Sequence, residues 1–451
     1  MEFSAIILAA GKGSRLKSRL AKPLHKVAGR ALVSWVCEAA SNAGASQQIC
    51  VVSKDGEAVA ELVKQSAQVD SQTIIQDPPK GTGHAVQCCL DELKALPADR
   101  PVLILYADTP LITAQTLRAL AGKIETGTDV CLLAFTTDDP TGYGRIISSG
   151  EGRVKAVIED KDASDSQKRI NLVNGGVMAA KASVLARLLP QLEPKNSQNE
   201  FYLTDIVGLA SAAKMRTDVI ETDETELAGV NDRAQLAQIE AEIQNRLRAK
   251  AMKNGVTFHA PETVFLSADT HFGTDVVIEP HVIIGSGVSI ADDCQIKAFS
   301  HLEGATVAQG CIIGPYARLR PGTKLGPSVK IGNFVETKAA VFAEGAKANH
   351  LSYIGDATVG RQANIGAGTI TCNYDGLNKF STHIGDAAFI GSNSALVAPV
   401  SIGSGALIGA GSVITKDVDV DAIGISRATQ RQIEGGAKAH RKKADQKKPG
   451  R

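Results

Sequence analysis

Apolar positions near the C-terminal end of the chain follow an unusual repeat. An α-helix would need them three and four residues apart, and an amphipathic strand would need them two apart. The observed spacing is six residues, in the run Ile384, Ile390, Leu396, Ile402, Ile408 and Ile414. This spacing suits a coil with short, equal flat sides, each of which contributes one inward aliphatic residue that stacks on the coil below. The pattern therefore predicts a parallel β-helix of the hexapeptide type.

The same rhythm occurs further upstream, at Ile278, Ile284, Ile290, Ile296 and Leu302. We expect a whole β-helix domain, which runs from about Val264 to about Val418. The rhythm loosens near residues 315–350, and the stretch after Leu325 does not divide into clear coils. It breaks again at Asn373–Phe380. Because stacked coils only support one another, we expect functional residues at these interruptions.

The first half of the chain has another pattern, in which short apolar runs alternate with helical ones. Ser4–Ala10 and Gln48–Ser53 resemble buried strands, whereas Ala31–Ala43 and Gly56–Gln68 have helical spacing. The alternation predicts a Rossmann-like α/β domain with a mixed, mostly parallel sheet. The first residues should form a strand and not a signal peptide, because they lack a basic lead and a cleavage site.

A one-sided helix is predicted between the two halves, from Asp232 to Asn254-Gly255. The expected organisation is an α/β domain at 1–230, a connecting helix at 231–255, a β-helix at 256–430 and a disordered tail at 431–451. The tail is rich in Lys and Arg and poor in apolar residues, so we favour solvated disorder over a contact with nucleic acid or acidic lipid.

The composition excludes several classes of protein. Only 4% of the 451 residues are aromatic and 43 are glycine, which suits flat coils and glycine-rich loops. A net charge of +1 gives no sign of a nucleic-acid or membrane partner. The eight cysteines form no C-x-x-C pair, which argues against zinc and for small buried residues in a reducing compartment. No apolar run approaches the roughly 20 residues that span a bilayer. The expected protein is soluble and cytoplasmic.

Candidate chemistry begins at a glycine-rich turn after the first strand, Gly11–Leu16. Glycines let the backbone approach an anion closely, and Lys12 and Arg15 supply positive charge for phosphates. The turn lacks the Walker spacing, and Leu16 replaces the third glycine of G-x-G-x-x-G. Alone it is weak evidence, since many turns need glycine for steric reasons.

A second candidate follows the apolar run Val102–Ala107, where Asp108 stands at the end of a predicted strand. Ligands bind at the carboxyl ends of strands in such sheets, so this carboxylate is placed to hold Mg²⁺. An isolated Asp would more simply cap the next turn. Three further loops share this placement between strands and helices and together suggest one cleft; they lie at Asp77–His84, Thr141–Arg145 and Asn174–Gly176.

These loops carry motifs of a known family. The N-terminal half resembles sugar-nucleotide pyrophosphorylases at Leu8–Arg15, Lys22–Leu24, Gln76, Gly81–His84, Tyr106–Asp108, Gly142–Ile146, Glu200–Asp205 and Gly229–Arg233. The C-terminal half resembles the bifunctional GlmU family at Arg318–Gly322, Gly332–Glu336, His350–Tyr353 and Asn364–Gly376. That family joins a glucosamine-1-phosphate N-acetyltransferase to an N-acetylglucosamine-1-phosphate uridyltransferase. The resemblance runs in the same order along nearly the whole chain, up to Arg427, and implies a left-handed β-helix.

For the N-terminal half, the resemblance implies uridylyl transfer from UTP to N-acetylglucosamine 1-phosphate. Asp108 and Asn231 would hold Mg²⁺, and Arg15 and Lys22 would neutralise phosphate charge. By the same resemblance the nucleotide and sugar contacts are Leu8, Ala9, Ala10, Gly11, Lys22, Gln76, Gly81, Thr82, Tyr106, Ala107, Asp108, Gly144, Glu159, Asn174 and Asn231. No side-chain nucleophile is needed, because the attacking phosphate is already anionic.

For the C-terminal half, the resemblance implies acetyl transfer from acetyl-CoA to the amine of glucosamine 1-phosphate. His350 matches the general base, since an imidazole with a pKa near 6.5 suits that task at neutral pH. The sugar-phosphate contacts would be Arg320, Lys338, Tyr353 and Asn364. The acetyl-CoA contacts would be Ala367, Asn373, Tyr374, Ser392, Ala410 and Arg427, with the Ala367 N–H on the thioester oxygen. A homotrimer and a role in making UDP-N-acetylglucosamine for the cell wall are also implied.

Two positions depart from the family pattern, and two other functions stay open. Ala107 stands where the family usually has Gly, and Asn174-Gly175 replaces the commoner Asn-Thr. One alternative is a single-function nucleotidyltransferase whose β-helix only regulates or oligomerises. The other is a scaffold with both sites decayed. Retention of Asp108 and His350 argues against both alternatives.

Overall fold

A computed structural model describes residues 2–11, 13–149 and 153–446. Lys12, predicted to face phosphates, and the end of the tail at 447–451 lie outside these ranges. The chain forms two compact units, Met1–Leu247 and Arg248–Arg451. The boundaries proposed at 230, 255 and 430 stay predictions.

The first unit contains a sheet with helices on both sides. Its strands are β1 (Phe3–Leu8), β2 (Lys26–Val27), β3 (Arg30–Ala31), β4 (Ala45–Ser53), β5 (Asp70–Gln76), β6 (Pro101–Tyr106), β7 (Val130–Thr136), β8 (Arg145–Ser148), β9 (Val154–Ile158), β10 (Leu172–Lys181) and β11 (Thr217–Glu221). Its helices are α1 (Leu32–Ala43), α2 (Glu57–Ser66), α3 (Thr82–Gln87), α4 (Leu90–Ala95), α5 (Ala114–Glu125), α6 (Ala182–Leu188) and α7 (Asp205–Ala212). The α8 helix (Arg233–Lys253) follows them.

The strand order β11-β7-β10-β6-β1-β4-β5 gives the predicted mixed, mostly parallel sheet. β1 runs parallel to both β4 and β6, whereas β10 is antiparallel to β6 and β7. β1 is buried on both faces, because Ile7 packs into the core on one side of the sheet and Ile6 into the core on the other. This explains its continuous apolar sequence.

The functional loops leave this sheet at a single edge. Leu8 at the end of β1 is the register partner of Tyr106 at the end of β6. The Ala107 N–H donates to the Leu8 carbonyl at 3.1 Å. The glycine-rich turn and the Asp108 loop therefore begin side by side, as expected for the carboxyl ends of neighbouring parallel strands.

The second unit is a stack of short strands. They are β12 (Thr257–Phe258), β13 (Phe265–Leu266), β14 (His271–Phe272), β15 (Val277–Ile278), β16 (Ile283–Ile284), β17 (Ser289–Ile290), β18 (Gln295–Ile296), β19 (His301–Leu302), β20 (Thr306–Val307), β21 (Ile312–Ile313), β22 (Arg318–Leu319), β23 (Lys324–Leu325), β24 (Lys330–Asn333), β25 (Glu336–Phe342), β26 (Lys347–His350), β27 (Tyr353–Val359), β28 (Asn364–Ile365), β29 (Ile370–Cys372), β30 (Thr382–Ile384), β31 (Phe389–Ile390), β32 (Ala395–Val397), β33 (Val400–Ile402), β34 (Leu407–Ile408), β35 (Val413–Ile414) and β36 (Ile423–Gly424).

Parallel pairing arranges these strands as three flat faces of a β-helix. Face A contains β12, β15, β18, β21, β24, β26, β28, β31, β34 and β36. Face B contains β13, β16, β19, β22, β29, β32 and β35, and face C contains β14, β17, β20, β23, β30 and β33. β25 and β27 run across faces B and C, since Glu336 pairs with β22 on face B and Phe342 pairs with β23 on face C. We call the bends between them the A/B and B/C corners.

The six-residue ladder is the inward side of these faces. Ile390 pairs with Ile408 on face A, and Ile384 pairs with Ile402 on face C. These four side chains are at most 3% exposed. Successive members of the ladder thus belong to different faces, and each stacks on the residue 18 positions further along. The predicted stacking is confirmed.

Coil length explains why the rhythm loosens. Ile278 pairs with Ile296 and Ile296 with Ile313, so consecutive coils contain 18 and 17 residues. Coils one residue short recur in the region that resisted division. Ile365 then pairs with Ile390, so that coil has 25 residues. Its extra residues form the loop 373–380, in which Tyr374 and Lys379 make an antiparallel bridge.

The tail differs from the expected disorder. Residues Gly436–Gln446 form helix α9. Its sequence consists largely of Ala, Lys, Arg and Gln, which are good helix formers even without an apolar face. Among the helices in the described ranges, none is long and apolar enough to cross a membrane.

Candidate functional sites

Two adjoining cavities lie at the carboxyl edge of the sheet in the first unit. The first has a volume of about 440 Å³ and the second about 330 Å³. Thr82, Tyr106, Asp108 and Glu200 line both. The other sequence-predicted residues around the first cavity are Leu8, Ala9, Ala10, Gly11, Lys22, Gln76, Gly81 and Ala107. Those around the second are Gly144, Glu159, Asn174 and Asn231.

Charged side chains meet where the cavities join. The Lys22 ammonium donates to the Asp108 carboxylate and, at 3.0 Å, to Asn231 Oδ1. The Arg15 guanidinium donates to the same Asn231 oxygen at 2.9 Å. Gln235 Oε1 accepts from the Asn231 N–H at 2.7 Å and holds this backbone in place. Two oxygen ligands and two cations are thus concentrated at one point.

Glu159 lies in the wall of the second cavity. Its carboxylate accepts a hydrogen bond from Thr204 Oγ1 at 2.9 Å. Burial raises the pKa of Glu159, and the carboxylates of Asp205, Asp162 and Asp160 raise it further, while the Thr204 bond works in the opposite direction.

Gly144 keeps space in front of that carboxylate. A Cβ on Gly144 would lie 2.8 Å from Val157 Cγ1 and 3.5 Å from the Glu159 oxygens. On the opposite wall Asn174 Oδ1 accepts from the Gly176 N–H at 3.2 Å, which fixes the amide. The amide N–H₂ of Asn174 therefore remains on the side away from its own backbone.

In the second unit, the B/C corner gathers a polar cluster. The Lys338 ammonium lies 3.4 Å from Asp356 Oδ2, and the Asn373 amide donates to the same oxygen. Arg320 pairs with Glu336 at 2.9 Å on the neighbouring coil. These contacts tie the predicted sugar-phosphate residues to the loop that interrupts the coils.

Lys379 brings additional positive charge to this corner. The neighbouring Lys338 ammonium lowers the pKa of Lys379, and Arg320 acts in the same direction. Cations crowded in this way favour a doubly charged anion such as a phosphate monoester.

The A/B corner carries the predicted base and the predicted acetyl-CoA residues in one column. Its residues occupy equivalent positions on successive coils, and each accepts a backbone hydrogen bond from the coil above, at the carbonyls of Asn333, His350, Ala367 and Ser392. Ala410 follows on the next coil, where its carbonyl accepts from the Arg427 guanidinium at 2.6 Å.

His350 is exposed at this corner, and its Nδ1 lies 2.7 Å from Asn333 Oδ1. Gly332 permits the two coils to approach, because a Cβ there would lie 1.9 Å from the Asn349 carbonyl oxygen. An amide oxygen accepts, so Nδ1 carries the proton and Nε2 is left with its lone pair.

Ala367 and Tyr353 complete the surroundings of His350. Within the described residues, the Ala367 N–H has no hydrogen-bond partner. Tyr353 begins face B directly after the corner. Asn364 lies on face A, so the corner separates it from Tyr353 and from the B/C cluster. One chain therefore does not bring all predicted acetyltransferase residues together.

Comparisons with known proteins agree with both halves. The family described as MobA-like NTP transferase domain matches residues 5–194, and the family described as bacterial transferase hexapeptide (six repeats) matches residues 381–416. A solved structure, UDP-glucose pyrophosphorylase complexed with UDP-glucose, covers 55% of this chain and 100% of its own, at 17% identity and a TM-score of 0.44.

Curated relatives match nearly the full length. Bifunctional protein GlmU of Azorhizobium caulinodans is 50% identical over 97% of this chain and 96% of that protein. The protein of the same name from Xanthobacter autotrophicus is 51% identical with the same coverage. That from Sphingopyxis alaskensis is 48% identical over 99% of both chains.

The chain belongs to the GlmU family. The resemblance seen in the motifs is thus confirmed, as is the fold class of a nucleotidyltransferase domain followed by a left-handed hexapeptide β-helix. The single-function alternative is not favoured, because the GlmU relatives match across both halves and not only the first.

Both departures from the GlmU pattern are accommodated by packing. The Ala107 methyl is 2% exposed and packs into the core at the edge of the first cavity. A Cβ on Gly175 would lie 2.2 Å from Leu227 Cδ1. Leu227 therefore occupies the space that a side chain at 175 would need, and forms the wall of the second cavity instead.

Several residues around these GlmU-family sites were not singled out from the sequence. They are Glu200 and Gln235 in the first unit, and Asn333, Asp356 and Lys379 in the second. Asn333 and Glu200 stand inside quoted motifs, so the motif was the available signal. The others act through contacts between residues distant in sequence, which no local pattern shows.

Proposed function

We propose that the chain makes UDP-N-acetylglucosamine in two steps at two sites. In the second unit, acetyl passes from acetyl-CoA to the amine of glucosamine 1-phosphate. In the first unit, N-acetylglucosamine 1-phosphate attacks the α-phosphorus of UTP and releases pyrophosphate. Membership of the GlmU family supports both steps. The eight cysteines are all free, which supports a reducing, cytoplasmic location.

For uridylyl transfer, the chain supplies position and charge neutralisation. UTP occupies the first cavity, and the acetylated sugar phosphate occupies the second. Arg15 and Lys22 stand at their junction and take the charge of the phosphates. Glu159 and Asn174 hold the sugar hydroxyl and acetamido groups through one acceptor and one amide.

Mg²⁺ fits this junction by the chemistry of its donors. Asp108 and Asn231 present a carboxylate and an amide oxygen to the same Lys22 ammonium, so they converge on one cation-sized position. Mg²⁺ prefers such hard oxygen ligands with waters and phosphates, and when bound it would neutralise phosphate charge.

For acetyl transfer, His350 is the general base. Its Nε2 removes a proton from the sugar ammonium, and the free amine attacks the thioester carbonyl. The Ala367 N–H, one coil away along the A/B corner, donates to the oxygen that becomes negative. The CoA thiolate leaves and takes up a proton. The cationic B/C cluster holds the sugar phosphate.

A homotrimer through the β-helix is part of the proposal. Four exposed apolar side chains share face B and would be covered by a neighbouring copy; they are Phe265, Ile283, Ile370 and Val413, each 46–49% exposed. The placement of Asn364 away from Tyr353 also supports a site completed by another copy.

The observation that carries the proposal is the column Asn333–His350–Ala367, which aligns a base and an oxyanion donor. The deciding experiment assays both reactions on one preparation and measures its mass in solution. We expect thiol release with acetyl-CoA and glucosamine 1-phosphate, pyrophosphate release with UTP and N-acetylglucosamine 1-phosphate, and three times the chain mass. Absence of thiol release would overturn the acetyltransferase assignment.

The raised pKa of Glu159 predicts a pH-dependent affinity for the sugar. Only the carboxylate accepts a hydroxyl hydrogen bond, and it is lost as pH falls through a pKa above the usual glutamate value. KM for N-acetylglucosamine 1-phosphate should therefore rise on acidification while KM for UTP stays level. Asp205→Asn should move the midpoint to lower pH, because it removes a neighbouring negative charge. An unchanged midpoint would contradict this account.

Asn333→Ala should slow acetyl transfer by about 10- to 100-fold, because a hydrogen bond that stabilises the imidazolium is worth about 1.5–3 kcal/mol. Asn333→Asp keeps an acceptor and should raise the pKa of His350, which shifts the acidic limb of the pH–rate profile to higher pH. The matched control is Thr358→Ala, which removes a similar contact to His383 Nδ1 at 2.9 Å. Equal effects of Asn333→Ala and Thr358→Ala would refute the positioning role.

A further inference from the structure

Gln76 and His84 form a polar pair in the wall of the first cavity. Gln76 ends β5 and is 4% exposed. Its Nε2 donates to the Gly81 carbonyl at 3.0 Å and lies 3.1 Å from His84 Nδ1. His84 belongs to α3, the helix that begins directly after Gly81.

These contacts determine the orientation of the Gln76 amide. A carbonyl oxygen can only accept, so the N–H₂ end must face Gly81. The second N–H then points to His84 Nδ1, which must accept and so carries no proton. Burial lowers the pKa of His84, and the Lys80 ammonium lowers it further, which keeps the imidazole neutral.

The consequence is a single acceptor that faces the cavity. Within the described residues, Gln76 Oε1 has no hydrogen-bond partner, and the residue lines the first cavity. The N–H groups of Gly81 and Thr82 in the same wall also have no partner there. The wall thus offers an acceptor beside donors.

This pattern distinguishes pyrimidine bases. Uracil presents an N–H between two carbonyl oxygens, which matches an acceptor beside donors. Cytosine presents an unprotonated ring nitrogen at the central position, which would face the Gln76 oxygen lone pairs. Thymine has the same imide edge as uracil, so this contact does not separate those two bases.

We propose that His84 is the positioning residue that holds the Gln76 amide with its oxygen toward the base, and that it thereby sets the preference for uridine over cytidine nucleotides. The inference rests on the proposed uridylyl transfer. Without the His84 acceptor, the amide is held by Gly81 alone and more readily turns its N–H₂ group toward the base. That orientation suits the ring nitrogen of cytosine.

The test compares kcat/KM for UTP, CTP and dTTP with N-acetylglucosamine 1-phosphate. His84→Leu and His84→Phe remove the acceptor, and the second keeps a ring against Phe201, whose centroid is 6.2 Å away. His84→Asn restores an acceptor on the same side-chain branch. We expect the UTP/CTP ratio to fall about three- to tenfold in the first two variants, the equivalent of one hydrogen bond, and to persist in His84→Asn. The UTP/dTTP ratio should not change.

Each other outcome overturns the proposal. Equal losses with all three nucleotides would mean that His84 only supports the fold, and a low UTP/CTP ratio in His84→Asn would mean that the acceptor is irrelevant. If His84→Leu does not fold, as judged by its circular dichroism and acetyl-transfer activity, the comparison of His84→Phe with His84→Asn still decides. Absence of pyrophosphate release by the unmodified enzyme would instead refute the uridyltransferase assignment itself.

Discussion

His350→Ala is expected to lower kcat for acetyl transfer by about 10²–10⁴-fold, the usual contribution of a general base. An ammonium group cannot attack a thioester, and the Asn333 contact at 2.7 Å leaves Nε2 of His350 ready to take its proton. The measurement is thiol release from acetyl-CoA in the presence of glucosamine 1-phosphate. Pyrophosphate release from UTP should remain, because His350 belongs to the second compact unit and both cavities belong to the first.

The chain offers a matched control for this substitution. His383 is also exposed on the β-helix and also has a partner at Nδ1, the Thr358 hydroxyl. His383→Ala should leave both activities unchanged. If a folded His350→Ala variant lost both activities, or kept acetyl transfer, the model of two separate sites would be wrong.

Asp108→Ala is expected to reduce pyrophosphate release by roughly a thousandfold, since a metal ion contributes several kcal/mol to such reactions. The substitution removes a proposed Mg²⁺ ligand and the anionic partner of Lys22. Acetyl transfer should be unaffected. Chelation of divalent ions in the unmodified enzyme should reproduce the same split between the two activities.

Two variants separate the metal from general effects of charge. Asp108→Asn keeps an oxygen but loses the negative charge, so added Mg²⁺ should restore part of its activity and none to Asp108→Ala. Asp55→Ala removes an exposed carboxylate that follows β4 outside both cavities, and should be neutral. Pyrophosphate release by Asp108→Ala that no chelator diminishes would exclude the proposed site.

The ladder of aliphatic residues made the β-helix predictable, because period six has one simple structural solution. Ile384 and Ile402 are buried for the reason the spacing implied, and the fold class followed without knowledge of any contact. The α/β unit was predictable for a similar reason, since alternation of element types leads to parallel strands whose ends share one edge.

Contacts between distant residues were beyond the same reasoning. A coil of 17 residues and one of 18 stack equally well, so the register near Ile331 came only from the pairing of its strand with the coil that follows. The Lys338–Asp356–Asn373 cluster joins residues on three coils and depends on that register. Leu227 in front of Gly175 likewise depends on packing across the sheet. Helix α9 was missed because its polar sequence has high helix propensity without amphipathic spacing.

The column of Asn333, His350 and Ala367 makes the coil a unit of length for the chemistry. Neighbouring strands lie about 4.8 Å apart. A duplicated coil before Asn333 would therefore lengthen the β-helix and leave the reacting groups in place. The same duplication between His350 and Ala367 would move the base about 4.8 Å from the oxyanion donor without disturbing a single stacked aliphatic residue. Lineages can thus vary the number of coils at either end of the stack, whereas the number between these three residues is fixed by catalysis and not by stability.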